Sequence, residues 1–415
     1  YVLKMGVNRF THPFKRIAGR YIQVFVSHPA TSLVLRSVGI IPVRYPLTRR
    51  GAFSCTDTGM NAIYETAVRT LTLCMHEHYE DTPWREQALY AMDSRNQALC
   101  GYCCFGEADF AIASFQLIAQ SLRSDGLFEI CAPARDHLTI PCFSMSWILA
   151  VRDLVLYTGR MDAAHVFFPT VRTLLQGFMD RCRDGLMETP RGKPYWNFYE
   201  WVDGLDGGSY LQDWEDGTEP RVDAPLNLFF SLALDAAETL ADWLGETEAQ
   251  TMWRQTNARL RQAIHRAFFD PVQRAYRTYR GALAHFATLT QALALCAQVV
   301  PQAEAEQLRA RLASGEEGWA PTTLSYTIYS YQALLQEEKY RRTVLRDIRT
   351  QWGRMLAQGA TSFWETQEGA SAFEDAGSLC HGWSAVPVYL YTIIVLGVTP
   401  LSPGFQRFTF MPEEG

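Results

Sequence analysis

The sequence has no run of basic residues. Lys and Arg number 38 against 44 Asp and Glu, a formal net charge of −6. Nucleic acid and anionic membrane surfaces attract basic patches, so neither is expected as the main partner. Long apolar runs are also missing. The strongest, AVPVYLYTIIVLGV at 385–398, falls short of the roughly 20 residues that cross a bilayer. There is no Gly-x-Ser-x-Gly, no His-Glu-x-x-His, no P-loop and no Gly-x-Gly-x-x-Gly. Nucleophile-elbow hydrolases, zincin-type metalloenzymes, P-loop NTPases and dinucleotide-binding enzymes therefore find no support. No secretory leader is visible and Tyr1 opens the chain without a Met, so the sequence reads as a fragment of a longer protein.

Cysteine is present but poorly patterned. The ten cysteines are scattered, and only CGYCC at 100–104 looks like a motif. A lone Cys-x-x-Cys without a second pair is weak evidence for zinc or redox chemistry. Most of the cysteines sit in apolar surroundings and read as small buried hydrophobes. That favours a reduced, cytoplasmic setting. His76 and His78 in HEH would point to different faces of a helix, a poor metal pair. Neither a metal nor a cofactor is expected.

Hydrophobic residues make up 48% of the 415 positions, ample for a large core. Aromatics reach 13% and include 11 Trp. Trp combines a broad apolar face with one N–H donor, so a surplus suits a ligand surface as well as a core.

Residues 1–48 carry strand signals. RYIQVFVS and TSLVLRSVGIIPVRYPL are short, β-branched and bounded by Gly, Pro and Ser. They read as the end of a truncated β-sandwich. From about Thr56 the apolar spacing becomes helical. Helices are predicted at 57–78, 84–100, 107–122, 144–158, 162–183, 223–243, 246–268, 285–299, 301–313, 321–336, 338–357 and 383–396. An even set of similar helices suggests stacked hairpins. A solenoid would show a fixed repeat, and none is found. The fold expected is mainly α: an (α/α)6 barrel over 49–398, with a short C-terminal β segment over 399–415.

The chemistry concentrates in three stretches. In DTPWREQALYAMD (81–93), Thr82 suits an N-cap and Pro83 the first helical position. A helix starting there would align Glu86, Tyr90 and Asp93 on one face, with Asp81 near the positive helix end. A solvated polar face is the plainer reading, but the opposite face is apolar too, which favours a pocket. In GATSFWETQEGA (359–370), Glu365 follows Phe363 and Trp364, and His381 and Trp383 come soon after in SLCHGWSA. Two separated carboxylates among aromatics match glycoside hydrolysis: one stays protonated, the other ionised. In YWNFYEWVDG (195–204), Trp196 and Trp201 bracket Asn197, Glu200 and Asp203. Trp faces stack on sugar C–H surfaces while amides and carboxylates take hydroxyls. Trp214, Asp213, Glu215 and Asp216 in LQDWEDGTE (211–219) read as a solvated loop. Their spacing does not match a calcium loop.

These motifs resemble those of bacterial α-L-rhamnosidases, the six-hairpin glycosidases of glycoside hydrolase family 78. DTPWREQALYAMD resembles the family's Asp-x-Pro-x-Arg-Glu-Gln-x-x-Trp-x-x-Asp signature. The similarity continues through IPCFSMSWILAVRDLVLYTG (140–159), WNFYEW, TSFWET and SLCHGWSAVPVYLY, from about residue 50 to the end. The resemblance implies inverting hydrolysis of terminal α-L-rhamnosides. It makes Glu86 the general acid and Glu365 the general base. It makes Asp81, Arg85 and Asp93 hydroxyl binders, and Tyr90, Trp147, Trp196, Trp201, Trp364 and His381 the lining of the sugar subsite. The implied partner is a rhamnose-containing glycoside or oligosaccharide, and a homodimer is one assembly open to it. The sequence departs from the signature at Tyr90 for Trp, Met92 for Gly and Thr82 for Cys, which bears on sugar preference more than on reaction type. Two alternatives stay open: another (α/α)6 sugar enzyme, a phosphorylase or epimerase, and a catalytically inactive carbohydrate-binding protein.

Overall fold

The computed structural model describes residues 2–413 except 13, 14, 20, 29–31, 135, 206, 208–220, 282 and 283. The stretch 211–219, read above as a solvated loop, lies outside the described residues.

Twelve helices of eight or more residues are described. They are α1 (Thr58–Leu73), α2 (Ala91–Cys104), α3 (Asp109–Ala119), α4 (Pro141–Thr158), α5 (Met161–Asp180) and α6 (Ala224–Leu244). There follow α7 (Thr247–Phe268), α8 (Thr288–Cys296), α9 (Gln302–Ser314), α10 (Thr327–Leu334), α11 (Arg341–Ala357) and, after a single distorted turn α12 (Ala372–Asp375), α13 (Pro387–Ile394). Two kinds alternate. Helix α5 buries Ala163, Phe167, Val171, Leu174 and Phe178, one stripe at helical spacing, and leaves its other face wet. Helix α2 buries nearly every residue, Ser94, Arg95, Asn96 and Gln97 included. A helix buried all round belongs to an inner layer. Accordingly α2, α4, α6, α8 and α10 pack in succession, and α13 returns onto α2. The amphipathic α1, α3, α5, α7, α9 and α11 form the outer layer. The result is the expected toroid of six helical hairpins.

Turn residues close the hairpins as the sequence implies. Gly159 ends α4 with φ +72° and Gly245 ends α6 with φ +74°, left-handed positions that favour glycine. Among the described residues, three two-stranded ribbons decorate the loops. The last pairs Val398–Pro400 with Phe408–Phe410 in register Thr399↔Thr409. Arg341 Nη1 donates to the Met411 carbonyl and Arg342 pairs with Glu413, so the tail runs back over α11.

The described residues between 2 and 48 form no helix or strand, and most of their side chains are exposed, Tyr21, Phe25, Ile40 and Ile41 among them. β-branched residues make a ladder only when another strand supplies partners for their backbone groups. Contacts that tie the segment to the barrel include the pair of Arg16 with buried Glu80, the Tyr45 N–H donating to the Met75 carbonyl at 3.1 Å, and the Tyr45 ring 4.4 Å from Phe110.

One predicted helix starts late. Residues 83–90 do not continue into α2, which begins at Ala91 with Tyr90 as a cap that offers no side-chain hydrogen bond. Two bonds hold the preceding loop instead. The Asp81 N–H donates to the Ala88 carbonyl at 2.9 Å, and the Ala88 N–H donates to Asp81 Oδ1 at 2.8 Å. Gln87 turns through φ +56°, which no helix tolerates. Thr82 accepts from the Trp84 N–H at 3.4 Å rather than capping a helix. Glu86, Tyr90 and Asp93 therefore do not share a helix face, and Asp81 is not beside a helix start.

Candidate active site

The loop 81–90 meets the loop 361–381 across the seam where α13 packs on α2. Helix α1 sets the distance between them, since Thr70 Oγ1 accepts from the Phe363 N–H at 2.8 Å. The Gly382 N–H donates to the Asp81 carbonyl at 2.7 Å. A Cβ on Gly382 would stand 2.1 Å from Gln97 Nε2, so only glycine allows this approach.

Arg85 lies at the centre. Its Nη2 donates to Glu365 Oε1 at 2.8 Å and Oε2 at 3.1 Å, and lies 3.2 Å from Glu86 Oε1. Its Nη1 donates to the Ala376 carbonyl at 2.9 Å. Glu86 also accepts from the Tyr90 hydroxyl at 2.8 Å. The Glu86 side chain is 36% exposed and that of Glu365 only 3%. Both carboxylates thus touch one nitrogen, from inside and from outside.

Behind them Asp81, Asp93 and His381 are buried. His381 Nε2 lies 3.9 Å from Asp81 Oδ2, and its Nδ1 lies 4.0 Å from Asp93 Oδ1. Among the described residues, Asp81 Oδ2, Asp93 Oδ1 and His381 Nδ1 have no hydrogen-bond partner. Buried polar atoms are nearly always satisfied, so three orphans in one place mark a site for a polar ligand. The His381 ring stacks on Trp383, centroids 3.7 Å apart at 27°. The Trp383 N–H donates to the Glu365 carbonyl at 3.0 Å, tying the histidine support to the loop that carries Glu365.

Burial drives the protonation states. It pushes the Glu365 carboxyl up, while the Ser378 N–H at 3.0 Å and the charge of Arg85 pull it down. Burial, then the charge of Glu86, pushes Asp81 and Asp93 well above the ordinary carboxylate range. Burial, with the charge of Arg85, presses His381 well towards its neutral form. The Tyr90 phenol is pushed up by burial and Glu86 and stays protonated.

The aromatic wall is only partly as predicted. Trp196 and Trp201 meet edge to face, centroids 6.0 Å apart, and Trp201 reaches the Phe373 ring at 5.0 Å. Phe373 in turn lies 5.5 Å from the Arg85 guanidinium. Trp364 is buried beneath Gly369, whose Cβ position is 2.8 Å from its ring. Trp147 is a correction. It is fully buried between Phe128 and Phe167, and its N–H donates to the Phe115 carbonyl at 3.1 Å. It serves the core of α4, and a motif match gives its position in the chain but not the direction of its ring.

Glu200 is a second correction. Read above as a hydroxyl acceptor, it is fully buried and accepts from the Trp201 N–H, the Thr323 N–H and hydroxyl, and the Ser325 hydroxyl, at 2.6–3.0 Å. It holds the Trp196–Trp201 loop in place. Asn197 donates to the Pro190 carbonyl at 2.8 Å, and Asp203 is exposed.

Phe373, Ala376 and Ser378 were not anticipated. Phe373, Glu374 and Asp375 all adopt left-handed φ, between +53° and +64°, with no glycine to announce it. No signal in the sequence marks that turn.

Other features carry no site chemistry. His76 pairs with Glu80 at 3.0 Å and His78 with the Tyr79 carbonyl at 2.8 Å. Among the described residues, no group of three or more His, Cys, Asp or Glu would hold a metal ion. The CGYCC cysteines lie on α2, and burial pushes the Cys103 thiol up to about 12. Two clefts of about 520 and 420 Å³ lie elsewhere, lined by Asp270 and Arg277 and by Glu306 and Arg309.

A closed ring of six hairpins with a carboxylate-rich site at its seam defines a six-hairpin glycosidase architecture. The model of the bacterial α-L-rhamnosidase six-hairpin glycosidase domain matches residues 48–394, and the chain belongs to that family. A rhamnosidase of glycoside hydrolase family 78 from Bacillus sp. GL1 is similar at 27% identity and TM-score 0.79, over 89% of this chain and 38% of that one. A Klebsiella oxytoca rhamnosidase, solved with rhamnose bound, is 23% identical at TM-score 0.70, over 83% and 65%. A Thermus thermophilus mannosylglycerate hydrolase shares the fold at 15% identity and TM-score 0.58, over 80% and 100%. The chain thus spans less than two thirds of the length of either rhamnosidase. No protein with a curated description matches it. No helix among the described residues is long and apolar enough to cross a membrane.

Proposed function

We propose that the protein releases terminal α-L-rhamnose from rhamnosides with inversion at the anomeric carbon. One observation carries the reading. Glu86 and Glu365 meet on a single nitrogen of Arg85, beside the unpartnered Asp81 Oδ2, Asp93 Oδ1 and His381 Nδ1. Family membership and the rhamnose-bound Klebsiella oxytoca relative support rhamnose as the sugar.

Glu86, at the wetter edge, gives its proton to the glycosidic oxygen as the bond to the anomeric carbon breaks. Glu365, in the dry interior, takes a proton from the water that attacks the opposite face. Inversion needs about 6.5–9.5 Å between such carboxyl groups, against about 5–5.5 Å for retention. With both carboxylates within 2.8 and 3.2 Å of one Arg85 nitrogen, the partly exposed Glu86 side chain must swing outward to admit the attacking water. Asp81 and Asp93 accept hydrogens from the sugar hydroxyls, and neutral His381 offers one donor and one acceptor. Trp196, Trp201 and Trp364 supply apolar surface near the site, and Tyr90 keeps an aromatic ring beside Glu86.

Residues 1–48 are assigned to the end of a β-sandwich, 49–398 to the catalytic barrel and 399–415 to a C-terminal β segment. A reduced cytoplasmic setting and a homodimer are further parts of the proposal. Thiol titration in cell extract and sedimentation of the purified protein address them.

The test is hydrolysis of an aryl α-L-rhamnoside, with the first-formed sugar read by proton NMR. The β-anomer is expected, without added phosphate. The α-anomer would establish retention, and a requirement for phosphate would establish a phosphorylase. Calorimetric binding of rhamnose without turnover would establish a binding protein.

A further inference from the structure

Arg85 is read from the signature as a hydroxyl binder, but its contacts are with the two carboxylates. Nη2 has two hydrogens. Its hydrogen bonds go to Glu365, at 2.8 and 3.1 Å, while Glu86 Oε1 lies 3.2 Å away as an ion-pair contact without a directed hydrogen bond. Nη1 is held by the Ala376 carbonyl, at the end of the left-handed turn Phe373–Asp375. The Phe373 ring covers the guanidinium at 5.5 Å. A backbone acceptor and an aromatic ring therefore fix the cation between the two acids.

We propose that Arg85 is a positioning residue that allots the proton between the acids, keeping Glu365 ionised and leaving the proton to Glu86. The inference rests on the two roles proposed above. The contact is unequal. Glu365 offers both oxygens to Arg85 and accepts the Ser378 N–H as well. Glu86 offers one oxygen, and its other oxygen meets the Tyr90 hydroxyl, which can donate or accept. When one proton is shared between two acids beside one cation, it settles on the acid less tightly held. A carboxylate buried like Glu365 would otherwise take it, because burial disfavours its charge.

The other groups facing the pair are acidic or neutral. Asp81, Asp93 and Cys131 face Glu86. Asp93 also faces Glu365. His381 is pressed towards neutrality. Glu374 and Asp375 lie in the exposed turn. Arg85 is the cation among these groups, so its removal leaves the Glu365 carboxyl with a higher pKa.

The experiment compares wild type, Arg85→Met and Arg85→Lys. The pH profile of kcat/KM on an aryl α-L-rhamnoside is read beside a carbon-13 NMR titration of the Glu365 carboxyl, assigned by its loss in Glu365→Gln. In Arg85→Met the acid limb and the Glu365 titration should both move to higher pH by about one unit or more. Arg85→Lys, which keeps the charge, should lie closer to wild type. A higher KM with an unmoved acid limb and titration would make Arg85 a sugar binder and overturn the inference. An unmoved Glu365 titration in a folded Arg85→Lys and Arg85→Met pair would overturn it also. If no variant, wild type included, cleaves a rhamnoside, the proposed function falls, while a shifted Glu365 titration still upholds the electrostatic role.

Discussion

Asp81 grips Ala88 twice, accepting its N–H on Oδ1 at 2.8 Å and donating its own N–H to the Ala88 carbonyl at 2.9 Å. The six residues between them include Arg85 and Glu86, so this clasp shapes the part of the loop that carries the proposed acid. Asp81→Asn keeps an acceptor for Ala88 and should fold normally while losing rhamnoside hydrolysis. Asp81→Ala leaves the Ala88 N–H unpaired and should cost about 1–3 kcal/mol in urea unfolding. Equal stability of the two variants would show that the clasp does not hold the loop.

Glu86→Gln and Glu365→Gln should each cut turnover by about 10²–10⁴-fold with an unchanged circular dichroism spectrum. The leaving group separates their roles. An acidic phenol departs without a proton, so Glu86→Gln should lose less on a dinitrophenyl rhamnoside than on an alkyl one. Glu365→Gln should lose equally on both. The reverse pattern would exchange the two assignments.

Asp93 is an expensive residue for stability. Burial raises its carboxyl well above the ordinary range, so the folded state binds a proton that the unfolded state has already released. Stability from such a group is intact below the unfolded value, about 3.9 for Asp, and falls as pH rises above it. Asp93→Asn should therefore raise Tm at pH 7 and gain progressively less as pH approaches 4. A gain that grew on acidification would contradict the sign. Activity should fall in the same variant, since an amide N–H2 in place of one carboxylate oxygen donates where a sugar hydroxyl is proposed to donate.

Gly382→Ala brings a methyl group against the buried Gln97 amide, which already donates to the Glu80 carbonyl at 2.8 Å. Overpacking of this kind costs about 1–3 kcal/mol, and the shift displaces neighbouring His381. Thermal unfolding and the KM for an aryl rhamnoside should both worsen. An unchanged KM would mean that the His381 loop tolerates the displacement.

Periodicity gave good access to the outer helices. The predicted 162–183, 246–268 and 338–357 stand beside Met161–Asp180, Thr247–Phe268 and Arg341–Ala357. The amphipathic stripe is a property of each helix alone, so it survives without knowledge of neighbours. The start of α2 did not. Thr82 and Pro83 have the chemistry of a helix start, but the side chain of Asp81 and the left-handed Gln87 win locally. The charged members of the site were readable as residue types: Asp81, Arg85, Glu86, Asp93, Glu365 and His381 all reach one seam. Side-chain direction was not readable. Trp147 turns into the core and Glu200 towards Thr323 and Ser325, choices made by partners over a hundred residues away in the case of Glu200.

The bond between Arg85 and Glu365 joins residues 280 apart in sequence. Everything between them must take its place before the two can meet. During synthesis the first hairpin emerges long before the segment that completes its site, and Asp81, Arg85 and Asp93 must wait as an unfinished half. Turnover should then be the last property to appear on refolding, later than helix content and later than burial of most of the core.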